Sequence, residues 1–353
     1  MNSKINEILK SDLIEASAPC RIDMGGTLDI SSFYYPLSYL NSCTFNIALA
    51  MRTRVKIVPF QKGYIKISSK GFESAEYPVE KMPFDHPMGL MFAIAAYFQI
   101  DGIHIIIESG SPPRSALGGS SVAAVALIAA FNILLEKSGR PMVAHEQIPL
   151  LAHGIEESVA GVPCGFQDQL AAVYGGVNAW YWKGAGAPQP FIRRLIVHPE
   201  RYEALSNHLL LAYCGIPHES RNINSRWVKQ FISGECRTQW VEIVNCTLSF
   251  ADAFVSFNIE EAVKQLNRET AIRVEMTPDV LDDTGSQLVH SALDHNCGAR
   301  FTGAGGGGCI WALGPDDKIS ELKIAWDKIL SERKEACLLD INIDKNGVLT
   351  GPV

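Results

Sequence analysis

A proline- and glycine-rich turn, Ser111 to Ala124 (SPPRSALGGSSVAA), runs directly into an apolar segment. That segment, Val122 to Leu135 (VAAVALIAAFNILL), has no proline or glycine and almost no polar side chain, which predicts a buried helix. Small residues at its entry would leave bare backbone N–H groups at the positive end of the helix dipole, where a phosphate could approach. These residues are Ala116, Gly118, Gly119, Ser120 and Ser121. The alternative is a plain tight turn with Ser120 or Ser121 as N-cap.

A second candidate is the carboxylate of Asp168, which falls in the first turn of a short helix predicted from Gly165 to Ala172. The helix dipole favours an ionised carboxylate in that position. An acid can also occupy a helix start only to stabilise it. The local pattern leaves that structural interpretation open.

The elements that must position these residues mix strands and helices. Arg52 to Pro59 and Tyr64 to Ser69 alternate apolar and polar residues like strands of an antiparallel sheet. Met88 to Ile100 is a predicted helix, Ile103 to Glu108 a strand, and Pro149 to Ser158 a helix stopped by Gly161. This order favours the α+β class over a doubly wound sheet.

Trp182 to Pro190 (WKGAGAPQP) carries no periodic signal and marks the predicted domain boundary, which gives domains 1–185 and 186–353. The second domain is predicted to begin with the strand His208 to Tyr213 and a helix near Ser220 to Ile232. Further helices would follow to about Cys297, then strands flanking Gly303 to Gly308, and a last helix over Lys318 to Glu335.

The 353 residues are 47% hydrophobic, enough for two cores, and the net charge of -7 argues against nucleic acid or an anionic membrane as partner. Nine scattered cysteines without a CxxC pair favour reduced thiols over disulfides or a zinc site. The N-terminal stretch lacks the apolar core of a signal peptide, and the longest apolar run is predicted to be too short to span a bilayer. We therefore expect a soluble, cytoplasmic protein.

The sequence GAGGGG at Gly303 to Gly308 formally satisfies the dinucleotide-binding pattern GxGxxG. That pattern requires a helix directly after the glycines, whereas Cys309 to Leu313 (CIWAL) is typical of a strand, so this interpretation fails. The chain also lacks GxxxxGK[ST], which excludes a P-loop NTPase. A flexible loop remains an alternative for the glycines.

Three ordered motifs make the chain similar to the GHMP kinases. They are APCRIDMGGTLD (Ala18 to Asp29), PPRSALGGSS (Pro112 to Ser121) and TGAGGGGC (Thr302 to Cys309), in matching order and spacing. GVPCGFQDQ (Gly161 to Gln169) is similar to the segment with the catalytic aspartate in the galactokinase and mevalonate kinase branches. The chain most resembles the sugar kinases, galactokinase-like and D-glycero-D-manno-heptose 7-phosphate kinase-like. This implies an N-terminal domain like domain 2 of ribosomal protein S5 and a ferredoxin-like C-terminal domain.

The resemblance implies that the second motif wraps the phosphates of ATP. The expected contacts are Pro112, Pro113, Ser115, Ala116, Leu117, Gly118, Gly119, Ser120 and Ser121. Because no lysine lies in this loop, N–H groups, the helix dipole and Mg²⁺ would neutralise the phosphates. Ser120 matches the family's metal or phosphate ligand, with Ser121 as the second candidate. Glu156 resembles the metal-binding glutamate, which would leave its neighbour Glu157 an ordinary solvated residue.

Asp168 is implied to accept or orient the proton of the acceptor hydroxyl. Arg21 matches an arginine beside it, which would hold Asp168 ionised and offset charge on the transferred phosphoryl group. Both a true base and a mainly electrostatic, positioning role fit this residue.

Asp29 matches the aspartate that binds a sugar hydroxyl, and Gly26 and Thr27 belong to the same acceptor site. In the third motif, Gly305 and Gly306 are also expected at the substrate. The first motif departs from galactokinases because glycines replace a Glu-His pair and Leu28 separates the threonine from the aspartate, so galactose is not assumed.

Three residues of the second domain follow its first strand: His218, Arg221 and Asn222. They could reach the substrate across the cleft, or form only a solvated helix start.

The expected activity is an ATP- and Mg²⁺-dependent transfer of the γ-phosphoryl group to a hydroxyl, most plausibly anomeric, of a sugar or sugar phosphate. The partners would then be ATP and a small sugar, and the protein a monomer or homodimer. Two alternatives stay open: a kinase of the same superfamily acting on a mevalonate-pathway alcohol or homoserine, and a non-catalytic sugar-binding regulator.

Overall fold

The computed structural model describes residues 2–184, 186–217 and 220–351, and side chains for 4–184, 186–217 and 223–351. The helices are α1 Asn2–Ser11, α2 Ser31–Tyr34, α3 Gly89–Phe98, α4 Gly119–Ser138, α5 Ile148–Ala160, α6 Gln167–Tyr174, α7 Tyr202–Ser206, α8 Ser220–Ser233, α9 Arg237–Val255, α10 Ile259–Met276, α11 Asp283–Asp294 and α12 Asp316–Leu330. The strands are β1 Ile14–Met24, β2 Cys43–Pro59, β3 Tyr64–Ser69, β4 Ala75–Pro78, β5 Ile103–Ser109, β6 Val177–Trp182, β7 Phe191–Val197, β8 Leu209–Tyr213, β9 Gly298–Phe301, β10 Cys309–Leu313, β11 Cys337–Leu339 and β12 Leu349–Thr350.

Eight strands form the larger sheet, in the order β12-β1-β2-β5-β3-β4, with β6 beside β2 and β7 beside β6. The long strand β2 pairs with β6 through its first half and with β5 through its second half. Strands β2 and β3 were predicted as an antiparallel sheet, but β3 instead pairs in parallel with β5. The reason is that β5 lies between them, so that two strands adjacent in sequence are not adjacent in space.

The second sheet has four strands in the order β11-β8-β10-β9. Its centre is antiparallel, since β10 pairs with both β8 and β9. Helices α9 and α10 pack on each other, and α10 also packs on β9. The mixture of helices with these two sheets confirms the α+β class.

Strand pairing continues past the boundary predicted at 185/186. Strand β7, which follows that boundary, pairs with β6 in the first sheet. Strand β12, near the end of the chain, returns to pair with β1. The division into 1–185 and 186–353 stays a prediction, and β7 and β12 show that parts of 186–353 complete the first sheet.

Helix α4 is buried along most of its length and lies against β1 and β2. It is 20 residues long and apolar enough to cross a membrane by length and composition, which corrects the expectation that no apolar run is long enough. Within its most apolar window, however, 72% of the helix is buried inside the fold. This is how the core helix of a globular domain is built, and it places the turn before α4 rigidly at one end of the sheet.

Candidate active site

A cavity of about 400 Å³ lies where the start of α4, the start of α6 and the turn after β1 meet. This volume is in the range of small-molecule sites. Residues of all three sequence motifs line it, among them Arg21, Ser115 and Gly303. The fold therefore brings together motifs separated by almost 300 residues.

The turn before α4 has an unusual backbone. Arg114, Ala116 and Gly118 all have positive φ angles, of 55°, 62° and 81°. Gly118 is the N-cap, and among the described residues no side chain caps the helix, so the tight-turn alternative with a serine cap does not describe this structure. The first N–H groups of α4 remain available to an anion. Eight of the nine predicted phosphate-loop residues line the cavity; Leu117 does not, because its side chain is buried in the core.

The two serines at the start of α4 differ in their surroundings. Ser120, ranked first from the sequence, is exposed, whereas Ser121 is buried and donates a hydrogen bond of 2.7 Å to Oε2 of Glu156. Gln169 Nε2 donates to the same oxygen at 2.7 Å. Burial raises the pKa of Glu156 to about 7, although these hydrogen bonds oppose the shift. A carboxylate and a hydroxyl next to the phosphate loop suit a hard cation such as Mg²⁺, so the donor set fits this metal.

Arg21 and Asp168 are paired as the resemblance implied. Arg21 Nε donates to Oδ1 of Asp168 at 2.7 Å, and its Nη1 donates to the carbonyl oxygen of Ala116 at 2.7 Å. Burial lowers the pKa of Arg21, but the charges of Asp168 and Asp23 outweigh it and raise the pKa. Gly118 makes room for the pair, because a Cβ there would lie 3.0 Å from Cγ of Asp168. The ion pair thus sits directly against the phosphate loop.

Asp29 is a buried residue in the wall of the same cavity. Its Oδ2 accepts the backbone N–H of Gln167 at 3.0 Å, while Oδ1 has no hydrogen-bond partner within the described part of the chain. Burial raises the pKa of Asp29 to about 6, and the nearby charge of Asp168 acts in the same direction. Gly165 permits this approach, because a Cβ there would overlap the Asp29 carboxylate. Oδ1 could therefore accept a hydrogen bond from a hydroxyl group of a bound molecule.

The other residues predicted to bind the substrate do not all line the cavity. Thr27 lines the cavity, whereas Gly26, Gly305 and Gly306 are not among its described lining residues. Gly305 and Gly306 pack instead against Val280 and against Ile223 of α8, where a Cβ would collide. From the third motif, the cavity receives Gly303 and Ala304.

Leu28, which interrupts the expected Thr-Asp pair, turns its side chain into the core with no exposed surface. The predictions for His218, Arg221 and Asn222 fall outside what is described: His218 belongs to the undescribed segment, and so do the side chains of the other two.

Sequence reasoning missed two groups of lining residues. One is apolar and lies beyond the phosphate loop: Phe72, Pro87, Met88, Met91 and Ile107. The other is polar and includes Gln167 and Asn224, whose Oδ1 lies 3.5 Å from Oγ1 of Thr27. Apart from Gln167, which adjoins Asp168 in the quoted motif, these residues carry no local signal.

The chain is similar to known kinases in sequence and in fold. Residues 87–176, which include the phosphate loop and Asp168, match the family described as GHMP kinases N terminal domain. The mevalonate kinase of Thermococcus gammatolerans is 28% identical over 311 residues, which cover 79% of this chain and 84% of that enzyme.

Two solved structures share the fold over almost the whole chain. The galactokinase of Lactococcus lactis complexed with galactose has a TM-score of 0.75 at 18% identity, covering 99% of this chain and 98% of the other. A D-glycero-D-manno-heptose 1-phosphate kinase from Bacteroides thetaiotaomicron has a TM-score of 0.70 at 16% identity, covering 97% and 99%. Together with the family match, these two structures show that the chain has the two-domain fold of the GHMP kinases.

More particularly, residues 87–176 carry the N-terminal domain of the GHMP kinases. Members of that family transfer a phosphoryl group to an alcohol, and this is the reaction class of the protein.

Proposed function

We propose that the protein transfers the γ-phosphoryl group of ATP to the anomeric hydroxyl of a sugar or sugar phosphate. The observation that carries this proposal is the buried carboxylate of Asp29, which lines the same cavity as Asp168 and whose Oδ1 has no hydrogen-bond partner among the described residues. A free, desolvated acceptor oxygen is costly unless a ligand hydroxyl pairs with it. A polyol supplies such hydroxyls beside the one that reacts.

In this proposal the ATP phosphates lie on the bare N–H groups at the start of α4, and the adenine lies among the apolar residues near Phe72 and Met91. Ser121 and Glu156, with Ser120 beside them, would hold Mg²⁺. When bound, the metal supplies charge neutralisation at the phosphates. We further propose that the protein acts in the cytoplasm as a monomer or homodimer.

The chain's own residues then do the following. Asp29 holds the acceptor by one hydroxyl, and Asp168 accepts or orients the proton of the hydroxyl that reacts. Arg21 orients Asp168 through their 2.7 Å hydrogen bond, and its positive charge stabilises negative charge as the phosphoryl group moves. Catalysis thus rests on positioning and electrostatics, as phosphoryl transfer requires.

A second candidate acceptor is mevalonate, and the observation that favours it is the 28% identity to a mevalonate kinase over most of the chain.

The experiment is to incubate the protein with ATP and Mg²⁺ and a panel of free sugars, sugar phosphates, mevalonate and homoserine, and to locate the product by phosphorus NMR. We expect a sugar phosphate, and none without Mg²⁺. Phosphorylation of mevalonate alone would refute the sugar proposal. Sugar binding without turnover would favour a regulator.

Asp29 predicts a pH dependence of acceptor use. Above about pH 6 the carboxylate is ionised and Oδ1 accepts a hydroxyl proton; below it, the carboxyl group is protonated and this acceptor is lost. We expect kcat/KM for the acceptor to fall about fivefold from pH 6 to pH 5. In Asp29→Asn, kcat/KM should be low already at pH 8 and lack the inflection near pH 6. An inflection of the same size in the variant would assign the titration to another group.

A further inference from the structure

A series of buried charged side chains connects the first strand to the second domain. Oδ2 of Asp23 on β1 accepts Nη1 of Arg300 on β9 at 3.0 Å. Arg300 Nε donates to Oε2 of Glu269 on α10 at 2.8 Å, and Arg273 Nε donates to Oε1 of Glu269 at 2.9 Å. All four residues are at most 1% exposed. A buried network of this kind has one well-defined geometry, because each charge depends on its partners.

The far end of this series is Arg273, and it reaches the turn of the first motif. Its Nη2 donates to the carbonyl oxygen of Gly26 at 2.6 Å, and its Nη1 lies 3.4 Å from Oγ1 of Thr27. The guanidinium is also held between two indole rings, with Cζ 4.7 Å from the centre of Trp227 and 4.5 Å from that of Trp240. Such a fixed planar fork holds its acceptors more firmly than a flexible ammonium group does.

The turn held by Arg273 is strained. Thr27 has a φ of 80°, a region that β-branched residues rarely adopt. Among the described residues, two backbone hydrogen bonds close this turn. Leu28 N–H donates to the carbonyl oxygen of Gly25 at 3.3 Å, and Ile30 N–H donates to that of Thr27 at 3.0 Å. A strained conformation persists only where the surroundings enforce it. The turn also sets the position of Asp29, which follows Thr27 by two residues.

We propose that Arg273 is a positioning residue for the acceptor: it holds the turn 25–29 in the strained conformation that presents Thr27 and Asp29 to the cavity. A residue of the second domain that does not line the cavity therefore affects how tightly the acceptor binds. This inference rests on the proposed function, since it takes Asp29 as the contact to the acceptor. Independently of the acceptor, the turn should lose its order when Arg273 is replaced.

The test variant is Arg273→Met, which keeps an apolar chain between the two indoles. Glu269 stays paired, because Arg300 donates to it through Nε at 2.8 Å and Nη2 at 3.2 Å, so no buried carboxylate is orphaned. We expect the KM for the panel sugar that the wild type uses to rise roughly 10- to 100-fold. The KM for ATP should stay within about twofold, since the side-chain hydrogen bonds of Arg273 go to Glu269 and the turn rather than to the phosphate loop.

A second measurement does not depend on activity. Amide hydrogen exchange at Leu28 and Ile30 should be faster by at least about tenfold in Arg273→Met. Leu322→Ala is the matched control, because it opens a cavity in the buried face of α12, away from the turn. It should lower thermal stability without changing acceptor KM or local exchange at these two amides. Arg273→Lys keeps the charge but loses the fork, so it should be intermediate, and it replaces the methionine variant if that protein does not fold.

The two measurements separate the two proposals. Unchanged acceptor KM and unchanged exchange at Leu28 and Ile30 in a folded Arg273 variant would overturn the positioning role. If the wild type phosphorylates another alcohol of the panel, the sugar proposal fails and the KM comparison is made with that alcohol. If it phosphorylates none, hydrogen exchange alone decides whether Arg273 orders the turn.

Discussion

Asp168→Asn should lower kcat by roughly 10²- to 10⁴-fold while ATP binds almost as in the wild type. The side chain keeps its shape, and its amide oxygen can still accept the 2.7 Å hydrogen bond from Arg21 Nε. What is lost is the negative charge that draws the proton of the acceptor hydroxyl. The variant side chain has the same size, so Gly118 of the phosphate loop, where a Cβ would lie 3.0 Å from Cγ of Asp168, is not displaced and the ATP site should be undisturbed.

Three measurements decide this prediction: kcat with the panel substrate, ATP affinity by calorimetry, and thermal stability. Asp294→Asn is the matched control, since it makes the same change on an exposed carboxylate at the end of α11. It should leave all three values unchanged. Turnover of Asp168→Asn within tenfold of the wild type would remove Asp168 from the chemistry, whereas a parallel loss of ATP binding would show a structural role instead.

The sequence was sufficient for elements whose pattern is local. The uninterrupted apolar run of α4, the alternation in β3 and the glycines that end α5 and α6 led to helices and strands that the structure confirms within a few residues. The last helix, α12, ends at Leu330, five residues earlier than predicted. The chain there enters a turn in which Glu335 has a φ of 71°, a conformation that a helix cannot contain.

Strand β1 was not predicted from the sequence, although its pattern contains the signal of a strand. From Ile14 to Met24 its residues alternate, with apolar side chains at even positions and Glu15, Ser17, Arg21 and Asp23 at odd ones. That period of two is the signal of a strand, yet both faces are buried. The polar face is buried because it meets the second domain and the phosphate loop, as the bonds of Asp23 and Arg21 show. Burial of a polar face could not be predicted from β1 alone.

Contacts between distant residues explain the rest of what the sequence did not reveal. Arg273 and Arg300 lie about 250 and 280 positions from the turn and the aspartate that they bind. In the sequence, each is an ordinary arginine on a helix or strand. The paired Arg21 and Asp168 were identified only because a family motif marks both. Local patterns thus predict the elements, motifs predict the centre of the site, and only the fold reveals what supports it.

Arg21→Lys should lower kcat by about 10²- to 10³-fold. The guanidinium bridges two parts of the site, with Nε on Asp168 and Nη1 on the carbonyl oxygen of Ala116. An ammonium group is a point charge that cannot make both bonds in this geometry, so the carboxylate and the phosphate loop lose their common partner. Arg21 also lies 3.5 Å from Asp23, but that carboxylate keeps Arg300 and the N–H of Gly303, so the fold should persist.

The control for Arg21→Lys is Arg226→Lys, which changes an exposed arginine paired with Asp279 on the surface and should leave kcat unaltered.

A double variant, Arg21→Lys with Asp168→Asn, tests whether the two residues act as a unit. If Arg21 works by orienting the Asp168 carboxylate, the double variant should be scarcely slower than Asp168→Asn alone, because the second change removes an interaction already lost. Losses that multiply would instead show that Arg21 stabilises the transferred phosphoryl group independently of Asp168.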